Sequence, residues 1–142
     1  SPLFPFVGAF SRFDAHGYLV TGWVYEGGRW FYYGPSGCQA SGWVRVAGSW
    51  YYLDPLNGAM ASGWTKVRDT WYYLSSSGAM RTGWVRDGSS WYYLSADGAM
   101  ATGWLRDGGS WFYLSSSGAM VTGSRWIDGT RYSFDAEGRL LP

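Results

Sequence analysis

Along most of the chain, short runs of alternating apolar and polar residues are bounded by glycine, and the runs return in register. The stretch from Gly83 to Gly103 reads GWVRDGSSWYYLSADGAMATG. Its Asp87-Gly88 dipeptide is flanked by strand-forming residues, the strongest short-range signal for a β-hairpin. A two-residue turn at Asp87-Gly88 predicts that Arg86 pairs with Ser89, Val85 with Ser90 and Trp84 with Trp91. The two indoles then stand opposite each other, with Cβ atoms about 4.5–5.5 Å apart. Period-2 alternation puts Trp91 and Tyr93 on one face of the second strand and Tyr92 and Leu94 on the other, with Val85 matching the latter in character. One face, of Val, Tyr and Leu, suffices as a core; the other is a surplus of aromatic rings.

The same phrase repeats. Gly-Trp recurs at Trp23, Trp43, Trp64, Trp84 and Trp104, in steps of 20, 21, 20 and 20 residues, and a second tryptophan follows seven positions later at Trp30, Trp50, Trp71, Trp91 and Trp111. At so short a period, each unit is one supersecondary element whose apolar face is covered only by its neighbours. The expectation is an all-β chain, a β-solenoid of stacked β-hairpin repeats with a period of about 20 residues. Five full hairpin repeats occupy residues 21–122, between degenerate capping repeats at 1–20 and 123–142. In segment 10–17 of the first cap only Phe10 and Phe13 are aromatic, and Asp14-Ala15-His16-Gly17 reads as a turn. In the last, an Asp128-Gly129 turn sets Trp126 opposite Arg131. Glu26-Gly27 suits a tight turn, whereas Val46-Ala47 and Arg68-Asp69 are poor choices for one and point to a longer loop or a bulge. The extra residue of the second repeat falls in Asp54-Pro55-Leu56-Asn57-Gly58, after the second strand.

Composition narrows the function. Aromatics make up 21% of the 142 residues and charged residues only 15%, with a formal net charge of +1. This balance leaves no electrostatic footprint for nucleic acid or for an anionic membrane surface. No apolar run approaches the roughly 20 residues of a membrane-spanning helix, so membrane insertion is not expected, and no signal peptide is visible. A mature fragment or an excised domain is the natural reading. Cys38, the single cysteine, sits where later repeats carry alanine and reads as a small packing residue. His16 has no Ser-His-Asp or Cys-His arrangement available to it. Asp87, Asp107 and Asp128 occupy turn-like positions. No catalytic residue, metal-ligand cluster or cofactor motif stands out, and any hydrolase activity of a parent protein would belong to an attached domain.

The aromatic face has two readings. Each tryptophan packs as core along the stack, or the recurring rings form cages. A cage of ring faces suits a quaternary ammonium, whose diffuse charge is attracted to the rings without requiring hydrogen bonds. One hairpin supplies two walls; the next must supply the third, and the matching face there carries the second Tyr of Trp-Tyr-Tyr. Met60, Met80, Met100 and Met120 lie between successive hairpins, either as the floor of the cavity or as plain core.

The phrases GWVRDGSSWYYLSADGAMATGW, GWTKVRDTWYYLSSSGAMRTGW and GWLRDGGSWFYLSSSGAMVTG closely resemble the choline-binding repeats of Gram-positive surface proteins and of pneumococcal phage and autolytic lysins. The resemblance runs from about Thr21 to Gly123. It implies choline held between consecutive repeats, and anchoring of a secreted protein to choline or phosphocholine of cell-wall teichoic acids. Carried onto this chain, it joins Trp23 and Trp30 to Tyr52, Trp43 and Trp50 to Tyr73, Trp64 and Trp71 to Tyr93, and Trp84 and Trp91 to Tyr113. A partial fifth site has Trp104, Trp111 and Met120, with Ser133 in the third-wall slot and Tyr132 on the opposite face. Two alternatives stay open: a glucan-binding repeat module, favoured less because of the first Trp and Gly-Ala-Met, and a structural, protein-binding array. Arg45, Lys66, Arg86 and Arg106 are solvated edge charges or contacts to teichoic acid phosphates. Leu140-Leu141-Pro142 is a closing cap or the contact of a homodimer formed through an end repeat.

Overall fold

The computed structural model describes residues 11–142. Phe10 and the rest of segment 1–10 of the first cap lie outside the described residues. Twelve five-residue strands follow in order: Gly22–Glu26 (β1), Arg29–Tyr33 (β2), Gly42–Val46 (β3), Ser49–Leu53 (β4), Gly63–Val67 (β5), Thr70–Leu74 (β6), Gly83–Asp87 (β7), Ser90–Leu94 (β8), Gly103–Asp107 (β9), Ser110–Leu114 (β10), Gly123–Ile127 (β11) and Thr130–Phe134 (β12). Each odd strand pairs with the next even strand in its own two-stranded sheet. No helix occurs among the described residues. The described part of the chain is thus all-β, a run of hairpins with a period of about 20 residues.

In β7–β8 and β9–β10 the turn lies one residue later than the Asp-Gly signal suggests. Asp87 is the last residue of β7 and pairs with Ser90, so Arg86 faces Trp91, Val85 faces Tyr92 and Trp84 faces Tyr93. The expected Trp84-Trp91 pairing is therefore displaced by two residues and becomes diagonal. A shift of two preserves parity, so the assignment of residues to faces holds. The physical reason is that a tight hairpin turn of the primed type needs positive φ at its first central residue, or at both, and Gly88 supplies the first at 63°. Gly27 and Gly28 (60° and 80°), and Gly108 and Gly109 (58° and 82°), meet that demand. At Arg68 and Asp69 non-glycine residues meet it (49° and 67°), as Ala47 does at 52°, so these hairpins use neither a longer loop nor a bulge. In the last hairpin, Asp128 and Gly129 form the turn and Trp126 does face Arg131.

The chain divides into two compact units, one of Ser1–Thr65 with Leu74–Met80, the other of Lys66–Tyr73 with Arg81–Pro142. In the first, hairpins β1–β2 and β3–β4 are joined by backbone. The segment after each second strand curls back, so that Met60 N–H donates to the Trp30 carbonyl (2.9 Å) and Met80 N–H to the Trp50 carbonyl (2.7 Å). The extra residue of the second repeat falls in this return loop, where Gly58 N–H closes onto the Asp54 carbonyl at 2.7 Å. Residues 11–20 dock on the loop after β2: Arg12 N–H reaches the Gly37 carbonyl (2.9 Å), and Arg12 Nη1 lies 2.8 Å from Tyr33 OH and 2.7 Å from Glu26 Oε1. The Glu26 carboxylate and the Tyr33 hydroxyl hold the Arg12 guanidinium above its ordinary pKa.

The second unit repeats the stitch: Met100 N–H to the Trp71 carbonyl (2.9 Å), Met120 N–H to Trp91 (2.8 Å) and Leu140 N–H to Trp111 (2.8 Å). Met100 and Met120 each slide under a glycine of a later loop. A Cβ at Gly118 would overlap Met100 Sδ, and one at Gly138 would overlap Met120 Sδ; Gly78 covers Met60 likewise in the first unit.

The core is a thin line of side chains. Leu53, Leu74, Leu94 and Leu114 are completely buried, each the last residue of a second strand. Leu53, Leu94 and Leu114 each face a glycine across the sheet, which leaves room for the side chain. Val121, Ile127 and Phe134 form a cluster at the C-terminal end, with Tyr113, Tyr132 and Leu140 packed against it. Among the described residues no polar or charged side chain is buried.

Candidate functional site: aromatic cages between hairpins

The second tryptophan of each repeat is exposed, with Trp30, Trp91 and Trp111 39–43% accessible; of the first tryptophans, Trp104 is also exposed, at 38%. The first is held from behind by its cross-strand partner, the second Tyr of its own hairpin. Centroids lie 4.9 Å apart for Trp23 and Tyr32, 5.0 Å for Trp43 and Tyr52, and 5.1 Å for both Trp84–Tyr93 and Trp104–Tyr113, all edge to face. Tyr52, Tyr93 and Tyr113 thus buttress a tryptophan of their own hairpin, a role different from the third wall expected of them.

At Trp23, Trp84 and Trp104 the ring that arrives from the next hairpin is the other member of the pair. Tyr51 lies 4.8 Å from Trp23, Phe112 lies 5.0 Å from Trp84 and Tyr132 lies 4.9 Å from Trp104. These residues belong to the face that also carries Val and Leu. Successive hairpins within each unit therefore stack front to back, the tryptophan face of one against the Val-Tyr-Leu face of the next. Period 2 sorts residues onto faces but does not say which face of the neighbour arrives.

In the first unit, Trp23 and Trp30 stand at 87° with centroids 6.5 Å apart. Together with Tyr51, Met60, Ser76 and Ser77 they line a cavity of about 300 Å³. In the second unit, Trp84, Trp91, Phe112 and Met120 form the apolar wall of a cavity of about 600 Å³. Its polar wall is Asp107, Ser110, Glu137 and Arg139. Trp84 Nε1–H donates to Asp107 Oδ2 at 3.0 Å, fixing the indole. A third set in the same unit has Trp104 and Trp111 at 86° and 6.3 Å, with Tyr132 as the ring from the next hairpin. Met120, expected with this pair, lines the Trp84 cavity instead, and Leu140 occupies the methionine slot here. Ser133 faces Ser124 with hydroxyls 3.2 Å apart, away from this role.

The residues of the two middle sets, Trp43, Trp50 and Tyr73, then Trp64, Trp71 and Tyr93, are distributed over both units. Trp50 and Trp71 are exposed like their counterparts, and their carbonyls receive the Met80 and Met100 N–H groups. Arg45, Arg86 and Arg106 face the second tryptophan across each sheet. The Arg106 guanidinium sits 5.8 Å from the Trp111 ring and Lys66 Nζ 5.9 Å from Trp71, a contact the sequence reading missed. In the first hairpin that position is Tyr25, 5.0 Å from Trp30.

Chemically, the Trp23 cavity offers ring faces, a thioether and two serines, and the Trp84 cavity adds charged groups to its ring faces. Trp23 with Trp30 and Trp104 with Trp111 stand near right angles, and the third ring lies at 61–76° to the first tryptophan of its set; ring faces grouped in this way attract a compact, weakly hydrated cation. Among the described residues no group of three His, Cys, Asp or Glu is placed to hold a metal ion, and no helix is long and apolar enough to cross a membrane.

A family model described as the choline-binding repeat matches residues 20–63, 61–103 and 101–141. The chain is similar to the crystal structure of choline binding protein F from Streptococcus pneumoniae, with 46% identity and a TM-score of 0.84 over 92% of this chain and 43% of that one. It is also similar to the modular autolysin LytC from Streptococcus pneumoniae in complex with a synthetic peptidoglycan ligand (30% identity, TM-score 0.58, 92% of this chain and 35% of that one). A third similar structure is the multimodular pneumococcal cell wall endolysin from phage Cp-1 complexed with choline (34% identity, TM-score 0.59, 84% of this chain and 36% of that one). The chain therefore spans less than half the length of these proteins. None of the curated proteins matches the chain.

Proposed function

Because the chain belongs to the choline-binding repeat family, we propose that it is a non-catalytic module that attaches to the cell wall by capturing choline or phosphocholine of teichoic acids. The observation that carries this reading is the recurrence of one constellation: two tryptophans of a hairpin and the first aromatic after the tryptophan of the next. It stands as Trp23, Trp30 and Tyr51 in the first unit, and as Trp84, Trp91 and Phe112 in the second. Trp104, Trp111 and Tyr132 repeat it there. The trimethylammonium group enters between the rings, and Met60 or Met120 closes the floor without demanding a hydrogen bond. The endolysin complexed with choline supports this choice of ligand.

The crossed ring planes also argue against a glucan, because a sugar ring stacks on one flat platform, whereas here the exposed Trp30 is crossed by Trp23 at 87°. Each ring contact contributes about 0.5–2 kcal/mol, so a single cage binds weakly. Several cages along one polymer act together through effective concentration. A module of this kind works at the cell wall of a secreted protein, with any hydrolase supplied by an attached domain.

The test is retention on a choline-substituted matrix and elution by free choline, set beside glucan oligomers. Retention with elution by choline alone supports the reading. Elution by glucan alone, or no retention, overturns it.

A further inference from the structure

The two cavities differ in a way that choline alone does not explain. Asp107 closes the second-unit cavity, beside Trp84, Trp91 and Phe112. One of its oxygens accepts the Trp84 indole N–H at 3.0 Å. Among the described residues it has no cationic partner: Arg139, the cation lining the same cavity, lies 3.4 Å from Glu137 Oε1 and 3.7 Å from Asp135 Oδ2. An aromatic cage thus carries a carboxylate whose charge the chain does not neutralise. The first-unit cavity has no carboxylate in its lining. Val46 holds the position equivalent to Asp107, pairing with Ser49 as Asp107 pairs with Ser110.

The consequence concerns ligand class. A quaternary ammonium has no N–H to satisfy, so ring faces suffice. A protonated primary amine loses hydrogen bonds to water when it enters a cavity, and that loss is costly unless an acceptor replaces them. The Trp23 cavity presents no charged acceptor. The Trp84 cavity presents Asp107, with the Ser110 hydroxyl and the Glu137 carboxylate also on its wall.

We infer that the Trp84 cavity is a charge-assisted ammonium site that takes protonated primary amines as well as choline, with Asp107 as the specificity-determining residue, whereas the Trp23 cavity takes quaternary ammonium groups alone. This rests on the choline reading of the cages. Asp107 donates nothing; it accepts an N–H of the amine with the oxygen that the indole leaves unused.

The experiment follows the indole N–H resonances of Trp23 and Trp84 in the full chain during separate titrations with choline and ethanolamine. Choline is expected to shift both resonances, and ethanolamine to shift that of Trp84 alone. Asp107→Asn keeps an oxygen acceptor for the Trp84 indole while removing the charge. It should abolish the ethanolamine response and weaken choline at Trp84 by about two- to five-fold, the scale of a partly exposed ion pair. An unchanged choline response at Trp23 in the same variant reports that the chain is folded. Ethanolamine responses at both cavities or at neither, or a response that survives in Asp107→Asn, overturn the inference while leaving the choline reading intact. Failure of choline to shift either resonance overturns the choline reading itself.

Discussion

The Trp23 cage of the first unit and the Trp84 cage of the second are built on one scaffold. In each, a first tryptophan is buttressed by the tyrosine opposite it, a second projects to solvent, and a ring arrives from the next hairpin at 4.8 or 5.0 Å. They differ where the scaffold is indifferent. Opposite the exposed indole stands Tyr25 in the first and Arg86 in the second. At the end of the next hairpin's first strand stands Val46 in the first and Asp107 in the second. The cavities measure about 300 Å³ and about 600 Å³. Repetition holds the rings in place, and the positions that repetition does not constrain set volume and charge.

If the scaffold is shared, damage to it should cost the same in either unit. Leu53→Ala and Leu114→Ala each empty a completely buried position and should each destabilise by about 2–5 kcal/mol, read by denaturant unfolding. Costs differing by more than about 2 kcal/mol would break the equivalence of the two cores. Removing a cage wall should have a smaller, local effect. Trp23→Ala and Trp84→Ala should each weaken choline binding at their own cavity by about 1–2 kcal/mol, roughly five- to thirty-fold. The indole resonance of the other cavity should keep its response; loss at both would mean that the cages are not independent.

The charge difference can be transplanted. Val46→Asp should confer an ethanolamine response on the Trp23 cavity and strengthen choline there by about two- to five-fold. Unchanged titrations would show that position 46 does not set ligand class. The smallest effect concerns the loop after β8. The Ser95 hydroxyl and the Ala99 N–H donate to Asp97 and hold its carboxyl below the usual carboxylate range. A depressed folded-state pKa gives stability that is present above the unfolded value and lost as pH falls through the folded one. Amide exchange at Ala99 should therefore quicken on acidification through the carboxylate range in the parent and be pH-insensitive, once corrected for intrinsic exchange, in Asp97→Asn.

The sequence made the hairpins, their period and the two faces legible, because glycine spacing and period-2 alternation are local. The turn position was not, since Asp87-Gly88 and Gly88-Ser89 are both plausible turns; only the shift of two between them kept the faces right. The third wall was illegible for a deeper reason. Which face of a hairpin meets its neighbour depends on how the return loop carries the chain, through bonds such as Met120 N–H to the Trp91 carbonyl. One signal was available. The last hairpin has Ser124 and Arg131 in its tryptophan slots and Ser133 in place of the second tyrosine, yet retains Tyr132. A hairpin with no cage of its own has reason to keep only the ring that completes the preceding one. The Arg106 contact with its indole was missed because a turn at Asp107-Gly108 would place Gly109 opposite it, and the Lys66 contact because a longer loop or bulge at Arg68-Asp69 leaves the register there unset.

The central claim is that these cages bind a cation through ring faces. The most direct measurement is to titrate the full chain with choline and with its neutral isostere 3,3-dimethylbutan-1-ol, following the Trp23 and Trp84 indole resonances. The account predicts that choline shifts both at millimolar concentrations while the isostere, alike in shape and lacking only the charge, shifts neither. Equal responses to the two ligands would contradict it.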